Sequence, residues 1–323
     1  MCIHDSQNKK RAHKTRAQNV RISKAELDEI DAGDFQGERK QDRKKVERRA
    51  VKLSEAINEY LKFKTRSMVR DLTRELKQNG KILKVRKAGP QTREEKKLLR
   101  LLSIYGMRQI DESGEEYAGS KWTIPADFIS EYLAQKQILI QRLDSSIEKE
   151  FRQTVGRALA AWMREDPRPT IGQISERLRN SLTVESQADS PRLLKPLGNK
   201  FTAEGLGARA RMIARTEING ARNYARFEAG KLMGRTHLLW LASNDGRSGK
   251  RRHDRMNGMI VEMGKPFVNP TTGSKILYPG DPNATKKVRR GGRVVRGNPG
   301  EIINCRCSVR PITSSMADRL KRK

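Results

Sequence analysis

The chain has 323 residues, of which 69 are Lys or Arg and 38 are Asp or Glu, and its formal net charge is therefore +31. Charged residues make up 33% of the chain and hydrophobic residues 35%, which predicts a small core with long exposed helices and some disordered segments. So large a positive charge opposes compaction unless a polyanion or an acidic partner offsets it, and nucleic acid is the first candidate.

The chain lacks the marks of a membrane or secreted protein. No apolar run approaches the roughly 18 residues that a membrane span needs. The N-terminus has no apolar stretch of the kind that a secretory signal carries. Three cysteines, an odd number, do not indicate the disulfide framework of a secreted domain. We therefore expect a soluble, basic protein that is made inside the cell and has no membrane contact.

The first part of the chain is expected to be helical after a basic arm. Residues 1–36 are polar and basic, which predicts a disordered arm. A long helix is predicted over about 42–79, because apolar residues recur there every three to four positions and Gly80 follows. Another helix is predicted through Leu98 to Tyr105, and the segment from Gly114 to Gly119 breaks its pattern.

The longest periodic segment follows Pro125, a residue that suits the first turn of a helix. Apolar side chains mark one stripe from Phe128 to Trp162, and the prolines of residues 166–169 stop it. Thr170 is then expected to cap a short helix that runs to about Leu182.

The composition shifts towards alanine from Thr202, which predicts a closely packed helix that ends at Gly230 or Gly234. Short β-like runs follow over residues 236–242, 259–263 and 307–312. The predicted fold class is α+β, with an extended, mainly helical N-terminal region followed by a small α+β C-terminal domain with short antiparallel strands. The expected organisation is a basic arm over 1–36, a helical region over 37–200, the α+β domain over 201–312 and a basic tail over 313–323.

Residues able to carry chemistry concentrate in the last third of the chain. They are Trp240, Asp245, His253, Asp281, Asn304, Cys305 and Cys307. By ligand type, two thiolates and an imidazole with Asp245 as a fourth ligand would suit zinc. Structural zinc sites, however, favour cysteines two to four residues apart, and a Cys-x-Cys on a strand spans about 7 Å. We therefore favour no metal and expect no cofactor.

A cysteine nucleophile is a second interpretation of these residues. Cys305, His253 and either Asp245 or Asp254 could form a nucleophile, its base and an orienting group. No oxyanion-hole motif, phosphate loop or paired-carboxylate signature accompanies them. A disulfide between Cys305 and Cys307 would be strained and is disfavoured in a reducing compartment.

A structural role is the preferred interpretation, and we expect no enzymatic activity. Buried cysteines behave as small hydrophobic residues, and Asn304 can tie a turn before the last strand. The segment Tyr278–Pro282 is rich in turn residues. In this interpretation Trp240 anchors a small core in which His253 and Asp245 are hydrogen-bonded, and the set forms a structural clasp.

A basic segment lies between these residues in the sequence. Its positive residues, with no acid among them, are Lys286, Lys287, Arg289, Arg290, Arg293 and Arg296. They surround a Gly-Gly pair, which predicts an exposed basic hairpin tip or a flexible loop. The segment could simply favour solubility, or it could contact DNA phosphates or an acidic protein surface. No aromatic residue is interleaved, so any DNA contact should be independent of sequence and sensitive to salt.

The order of these motifs resembles the Mu-type minor head, or head morphogenesis, proteins of tailed bacteriophages. The likeness covers roughly residues 200–312. The matching elements are Ile213–Glu217 with Ala221–Asn223, Trp240 with Asp245 and Arg247, His253 with Gly258, Tyr278–Pro282, and Asn304–Cys307. The resemblance adds Arg215 and Glu217 to the expected clasp. Some relatives carry a Cys-x-x-Cys where this chain has Ser248–His253, and its absence here weakens the case for zinc.

The resemblance implies a structural component of the phage head, made in the cytoplasm of the bacterial host and located in the procapsid or virion head. Its expected role is procapsid assembly at the portal vertex, together with DNA packaging or delivery. The implied partners are the portal protein, a scaffold or major capsid protein, and double-stranded DNA bound without sequence specificity. The alternatives are a general DNA-binding protein and a zinc-stabilised or cysteine-dependent enzyme.

Overall fold

The computed structural model describes residues 20–21, 36–79, 92–184, 199–243, 253–287, 294–296 and 299–322. The predicted α+β class is confirmed, with long helices first and short antiparallel strands towards the C-terminus. The helices are α1 Gln36–Asn79, α2 Arg93–Ala118, α3 Ala126–Trp162, α4 Ile171–Asn180, α5 Ala203–Leu232, α6 Pro299–Ile302 and α7 Ser314–Arg322. Single 3₁₀ turns occur at Gly119–Lys121, Asn199–Phe201 and His253–Met256.

The strands form two small antiparallel sheets. They are β1 Val20–Arg21, β2 His237–Leu241, β3 Met259–Glu262, β4 Phe267–Val268, β5 Lys275–Ile276, β6 Thr285–Lys287, β7 Val294–Arg296 and β8 Ser308–Ile312. The first sheet has the order β1-β3-β2-β8 and the second has the order β4-β5-β6-β7. Trp240 of β2 lies opposite Val309 of β8, which brings the last strand beside the first strand that follows α5.

Helix α5 connects the helical region to the sheets, because it packs against α1 and α2 and also contacts β8. Its face towards the helical core includes Ala210 and Ala214, both fully buried. Leu53 and Leu61 of α1 belong to the same buried cluster. Small side chains on α5 let its backbone come close to both neighbouring helices, as its alanine content predicted.

Most of the predicted helix boundaries agree with the structure. Thr170 caps α4, and its side chain accepts a hydrogen bond from the backbone of Gln173. The predicted break from Gly114 is wrong, because α2 continues to Ala118. A Cβ atom at Gly114 would lie 1.9 Å from the Trp122 ring, so this glycine serves close packing, whereas Gly119, with φ of 57°, follows the helix end.

Polar side chains join α1 to α3 within the helical core. Tyr60 donates a hydrogen bond to Asp144, and Lys64 lies 3.1 Å from Asp144 and 3.2 Å from Glu95. Burial, followed by a hydrogen bond shared with Glu95, raises the pKa of Asp144 to about 6. Arg152 pairs with Glu75 through two bonds of 2.9 and 3.0 Å, so α1 and α3 are held at a second point.

The segment expected as a basic tail contains helix α7. Its Ala317 and Leu320 are buried against Leu239 and Ile260 of the first sheet. The arm over 1–36 lies almost entirely outside the described residues, apart from the β1 strand and the first residue of α1. Among the described helices, none is long and apolar enough to cross a membrane.

Candidate functional site

Two segments that are distant in sequence bring the cysteines and the histidine together. His253 opens the 3₁₀ turn before β3, while Cys305 and Cys307 lie in the extended segment between α6 and β8. The chain turns just before them, where Asn304 adopts φ of 56° and the amide of Cys305 donates to the carbonyl of Ile302 at 3.2 Å. Asparagine tolerates this left-handed conformation better than most residues do. Asn304 therefore occupies the turn that precedes the last strand, and its side-chain Oδ1 accepts a hydrogen bond from Arg215.

Two asparagines of α5 hold the backbone of this segment. Asn219 Nδ2 donates to the carbonyls of Cys305 at 3.0 Å and Cys307 at 3.1 Å. Asn223 Nδ2 donates to the Cys307 carbonyl at 3.1 Å, and Asn223 Oδ1 accepts from the amide of Val309 at 3.0 Å. Sequence reasoning gave neither residue a role in the clasp, although Asn223 belongs to a matched motif and the two asparagines lie four positions apart within an alanine-rich helix.

The His253 imidazole faces both thiols. Its Nδ1 atom lies 3.6 Å from Cys305 Sγ and 3.7 Å from Cys307 Sγ. One ligand atom from each of the three residues can be chosen so that all lie within 4.8 Å of one another. The three residues are only 1%, 3% and 1% exposed, in chain order. The two cysteines are thiols and do not form a disulfide, as expected.

The sequence predicted that the two cysteines lie about 7 Å apart, as on a strand. This expectation is wrong, because their Sγ atoms lie within 4.8 Å of each other. Neither cysteine lies in β8, which begins at Ser308. The Asn304 turn and the Asn219 hydrogen bonds bend the segment so that both thiols approach the same imidazole. The spacing of the cysteines therefore no longer argues against both thiols binding one metal ion.

Glu301 of α6 completes the cluster and was not among the expected residues. Its Oε2 atom accepts a hydrogen bond of 2.6 Å from His253 Nε2 and one of 3.2 Å from Asn269 Nδ2. Its Oε1 atom accepts from Thr272 Oγ1 at 2.6 Å. The side chain is 3% exposed, and a buried carboxylate needs such partners. Only its position four residues before Cys305 could have suggested it from the sequence.

The hydrogen bonds within the cluster control its charges. Burial alone lowers the pKa of His253, but hydrogen bonds with Cys307 and Glu301 raise it to about 9. Burial raises the pKa of Glu301, but the hydrogen bond from His253 outweighs this effect and lowers the pKa to about 2. The hydrogen bond with Cys305, followed by that with His253, holds the pKa of Cys307 well below its usual value. Hydrogen bonding within the cluster therefore shifts the pKa of Cys307, His253 and Glu301 each towards its charged form.

The expected clasp is assembled in part. The Trp240 ring packs edge-on against the His253 ring at a centroid distance of 5.5 Å and against Phe267 at 5.1 Å. Arg215 Nη1 donates to Asn304 Oδ1 at 3.1 Å and so supports the turn. Glu217 instead pairs with Lys136 of α3. Asp245 lies outside the described residues.

Asp281 holds a different turn, in the segment Tyr278–Pro282. Its carboxylate accepts hydrogen bonds from the amides of Leu277 at 3.0 Å and Asn283 at 2.8 Å. Gly280 has φ of 85°, and a Cβ atom there would lie 2.7 Å from the Cα atom of Gly220 on α5. The turn therefore presses against α5 and positions the second sheet relative to that helix.

Strands β6 and β7 lie on either side of the Gly-Gly pair of the basic segment, and the predicted tip between them lies outside the described residues. β6 and β7 pair antiparallel, with Thr285 opposite Arg296 and Lys287 opposite Val294. Lys286 lies in β6 opposite Val295. The remaining positive residues of the expected binding surface, Arg289, Arg290 and Arg293, lie outside the described residues.

Comparison with known proteins identifies the region that contains this cluster. Residues 172–310 match the family model described as Phage Mu protein F like protein. The matched range includes nearly all of α4, all of α5, strands β2 to β7, the His253 turn and both buried cysteines. No curated protein and no solved structure matches the chain.

Proposed function

We propose that this chain acts in procapsid assembly at the portal vertex and in DNA packaging or delivery, because residues 172–310 match the family model described as Phage Mu protein F like protein. It would do so as a non-enzymatic minor head protein in the procapsid or virion head, after synthesis in the host cytoplasm. The family match is the observation that carries this proposal.

The helical region supports a role in protein docking. Helices α1 and α3 contain 44 and 37 residues. Both are far longer than the helices of about 10–14 residues that are usual in globular proteins. One face of α1 is buried, whereas Arg66, Arg70 and Arg74 on the same helix are exposed. A long helix with an exposed positive face suits an acidic surface on a portal, scaffold or major capsid protein.

The charge distribution supports contact with double-stranded DNA. A net charge of +31 lowers the free energy of association with phosphates through release of condensed counterions. The β6–β7 hairpin presents its backbone as a two-stranded ribbon with basic residues in both strands. Such binding should be independent of base sequence and weaken steeply as salt rises.

The burial of the cysteine cluster supports a structural role over catalysis. Cys307, His253 and Glu301 have the residue types of a nucleophile, a base and an orienting carboxylate. All three side chains are 3% exposed or less, so a substrate could not reach the thiolate without opening of the fold. The same burial suits residues that stabilise the packing of α5, α6 and β8.

The role is tested in a phage that carries this gene. Purified full-length protein should cosediment with procapsids that contain portal and with isolated portal rings, and deletion of the gene should reduce infectivity. If the protein neither cosediments with procapsids or portal nor affects infectivity when deleted, the proposal is wrong.

DNA contact is tested separately by charge neutralisation. Replacing the six positive residues at 286, 287, 289, 290, 293 and 296 by Gln should weaken DNA binding and flatten its salt dependence. The matched control replaces six exposed basic residues of α1 and α2 by Gln: Arg66, Arg70, Arg74, Lys96, Lys97 and Arg100. Equal losses in both variants would indicate diffuse charge attraction and would reject the hairpin as a specific contact.

A general DNA-binding protein unrelated to virions is the second candidate, and the net charge of +31 favours it. It predicts salt-sensitive DNA binding together with normal head assembly after deletion of the gene. Defective heads after deletion would reject this alternative.

A further inference from the structure

We propose that His253, Cys305 and Cys307 bind one zinc ion and that Glu301 positions the His253 ligand. This proposal concerns the stability of the C-terminal domain, and it does not depend on the role in the phage head.

The distances from the two sulfur atoms to the histidine nitrogen match those of a zinc site. In a tetrahedral site with Zn–S near 2.3 Å and Zn–N near 2.0 Å, sulfur and nitrogen lie about 3.5 Å apart and two sulfurs about 3.8 Å apart. The Cys305 Sγ and Cys307 Sγ atoms lie 3.6 and 3.7 Å from His253 Nδ1. Two thiols therefore converge on one ring nitrogen, an arrangement that hydrogen bonding alone does not require.

The orientation of the histidine supports the same ligand set. A histidine that binds a metal through one ring nitrogen usually donates its other N–H group to a carboxylate or carbonyl. His253 Nε2 is bonded to Glu301 at 2.6 Å, which leaves Nδ1 directed at the two thiols. Glu301 is itself held by Thr272 and Asn269, so the ring is fixed from its far side.

The surroundings of the cluster suit a structural ion. The Trp240 ring packs against His253 and, together with Phe267, forms an apolar wall that limits access of water. The described residues supply three ligands to this site. Zinc would cross-link the His253 turn to the segment before β8, since His253 and Cys305 are 52 residues apart in the chain.

The first test is the zinc content of the purified full chain, measured by elemental analysis. Wild-type protein should contain about one zinc ion per chain, and His253→Gln, Cys305→Ser and Cys307→Ser should each lose it. Cys2→Ser, which changes the third cysteine of the chain, is the matched control and should keep the metal. Zinc retained in all three cluster variants, or absent from wild-type protein grown with added zinc, overturns the proposal.

The second test uses only wild-type protein and remains decisive if the variants fail to fold. Removal of metal with a chelator should lower Tm, and added zinc should restore it. Replacement by cobalt(II) should give thiolate-to-metal charge-transfer absorption. If Tm is insensitive to chelator and zinc, and cobalt produces no such absorption, the site binds no metal.

The role of Glu301 is tested by zinc affinity in competition with a chromophoric chelator. Glu301→Gln should weaken zinc binding by about 10- to 100-fold, because the amide orients the ring less strongly and makes it less basic. Glu262→Gln, at an exposed carboxylate of β3, is the control and should bind zinc like the wild-type protein. Unchanged zinc affinity in Glu301→Gln would show that Glu301 does not position the ligand.

Discussion

Arg215 of α5 forms two hydrogen bonds with Glu47 of α1, from Nε at 2.9 Å and from Nη2 at 3.0 Å. The third nitrogen of the same guanidinium, Nη1, donates to Asn304 Oδ1 at 3.1 Å. One side chain therefore ties the long N-terminal helix to the turn that precedes Cys305. The planar fork of arginine makes this double contact possible, whereas lysine could not reproduce it.

Replacing Arg215 should therefore weaken the link between the helical region and the cysteine segment. We expect Arg215→Met to lower the free energy of unfolding by about 1–3 kcal/mol, because the Asn304 and Glu47 side chains both lose a charged donor. Urea unfolding measures the change. Arg211→Met, at an exposed position one turn earlier on α5, is the control and should cost less than about 0.5 kcal/mol. Equal stability of the two variants would mean that the Arg215 contacts contribute nothing measurable.

Asn219 should contribute more than its size suggests. Asn219→Ala leaves the carbonyls of Cys305 and Cys307 without this donor in a buried site, so we expect a loss of about 2–4 kcal/mol in the free energy of unfolding. Thermal and urea unfolding give the value. The control is Asn283→Ala, which changes an exposed asparagine. A loss below about 1 kcal/mol in Asn219→Ala would contradict the role assigned to this amide.

A side chain at Gly280 should lower the free energy of unfolding for two reasons that can be separated. Gly280→Ala adds the cost of an unfavourable φ of 85° and a contact of 2.7 Å with the Cα atom of Gly220. Gly273→Ala is the matched control, since Gly273 has φ of 68° but nothing within 4 Å of the added Cβ atom. We expect about 1–2 kcal/mol for Gly273→Ala from conformation alone and about 1–3 kcal/mol more for Gly280→Ala. Similar losses in both variants would indicate that the contact with α5 relaxes freely.

Asp144 predicts a specific dependence of stability on pH. Its pKa of about 6 in the folded protein exceeds the ordinary value of 3.8, so between about pH 4 and pH 6 the folded state binds more protons at this site than the unfolded state. The contribution of Asp144 to the free energy of unfolding therefore falls as pH rises through this window and is constant above it. Asp144→Asn removes this fall, so the stability of the variant relative to wild type should increase from pH 4 to pH 6.

Urea unfolding at several pH values measures this difference. Asp71→Asn removes an exposed carboxylate from α1 and controls for the loss of one negative charge. A constant difference between Asp144→Asn and wild type across this pH range would contradict the elevated pKa of Asp144.

The sequence by itself predicted the helical architecture and the resemblance to phage head morphogenesis proteins. Apolar residues at helical spacing predicted α1 and α3, and the shift to alanine predicted α5, because these signals depend on neighbours three or four positions apart. The strands β2, β3 and β8 followed from short apolar runs, and the basic hairpin followed from charge around a Gly-Gly pair. The ordered set of motifs also indicated a resemblance to phage head morphogenesis proteins, and residues 172–310 match the family model described as Phage Mu protein F like protein.

Only the tertiary structure decided which polar residues meet. Glu301 reaches His253, and Asn219 reaches the cysteine carbonyls, across 48 and 86 residues of chain, and no local periodicity encodes contacts of that range. The family resemblance grouped Glu217 with the cysteines, yet its carboxylate pairs with Lys136 of α3. The Cys305 and Cys307 thiols converge because a left-handed turn at Asn304 and two amides of α5 bend their segment. The position of both sulfur atoms beside one imidazole therefore depends mainly on contacts from α5, which lie outside the segment. The residues of the segment itself account for it only in part.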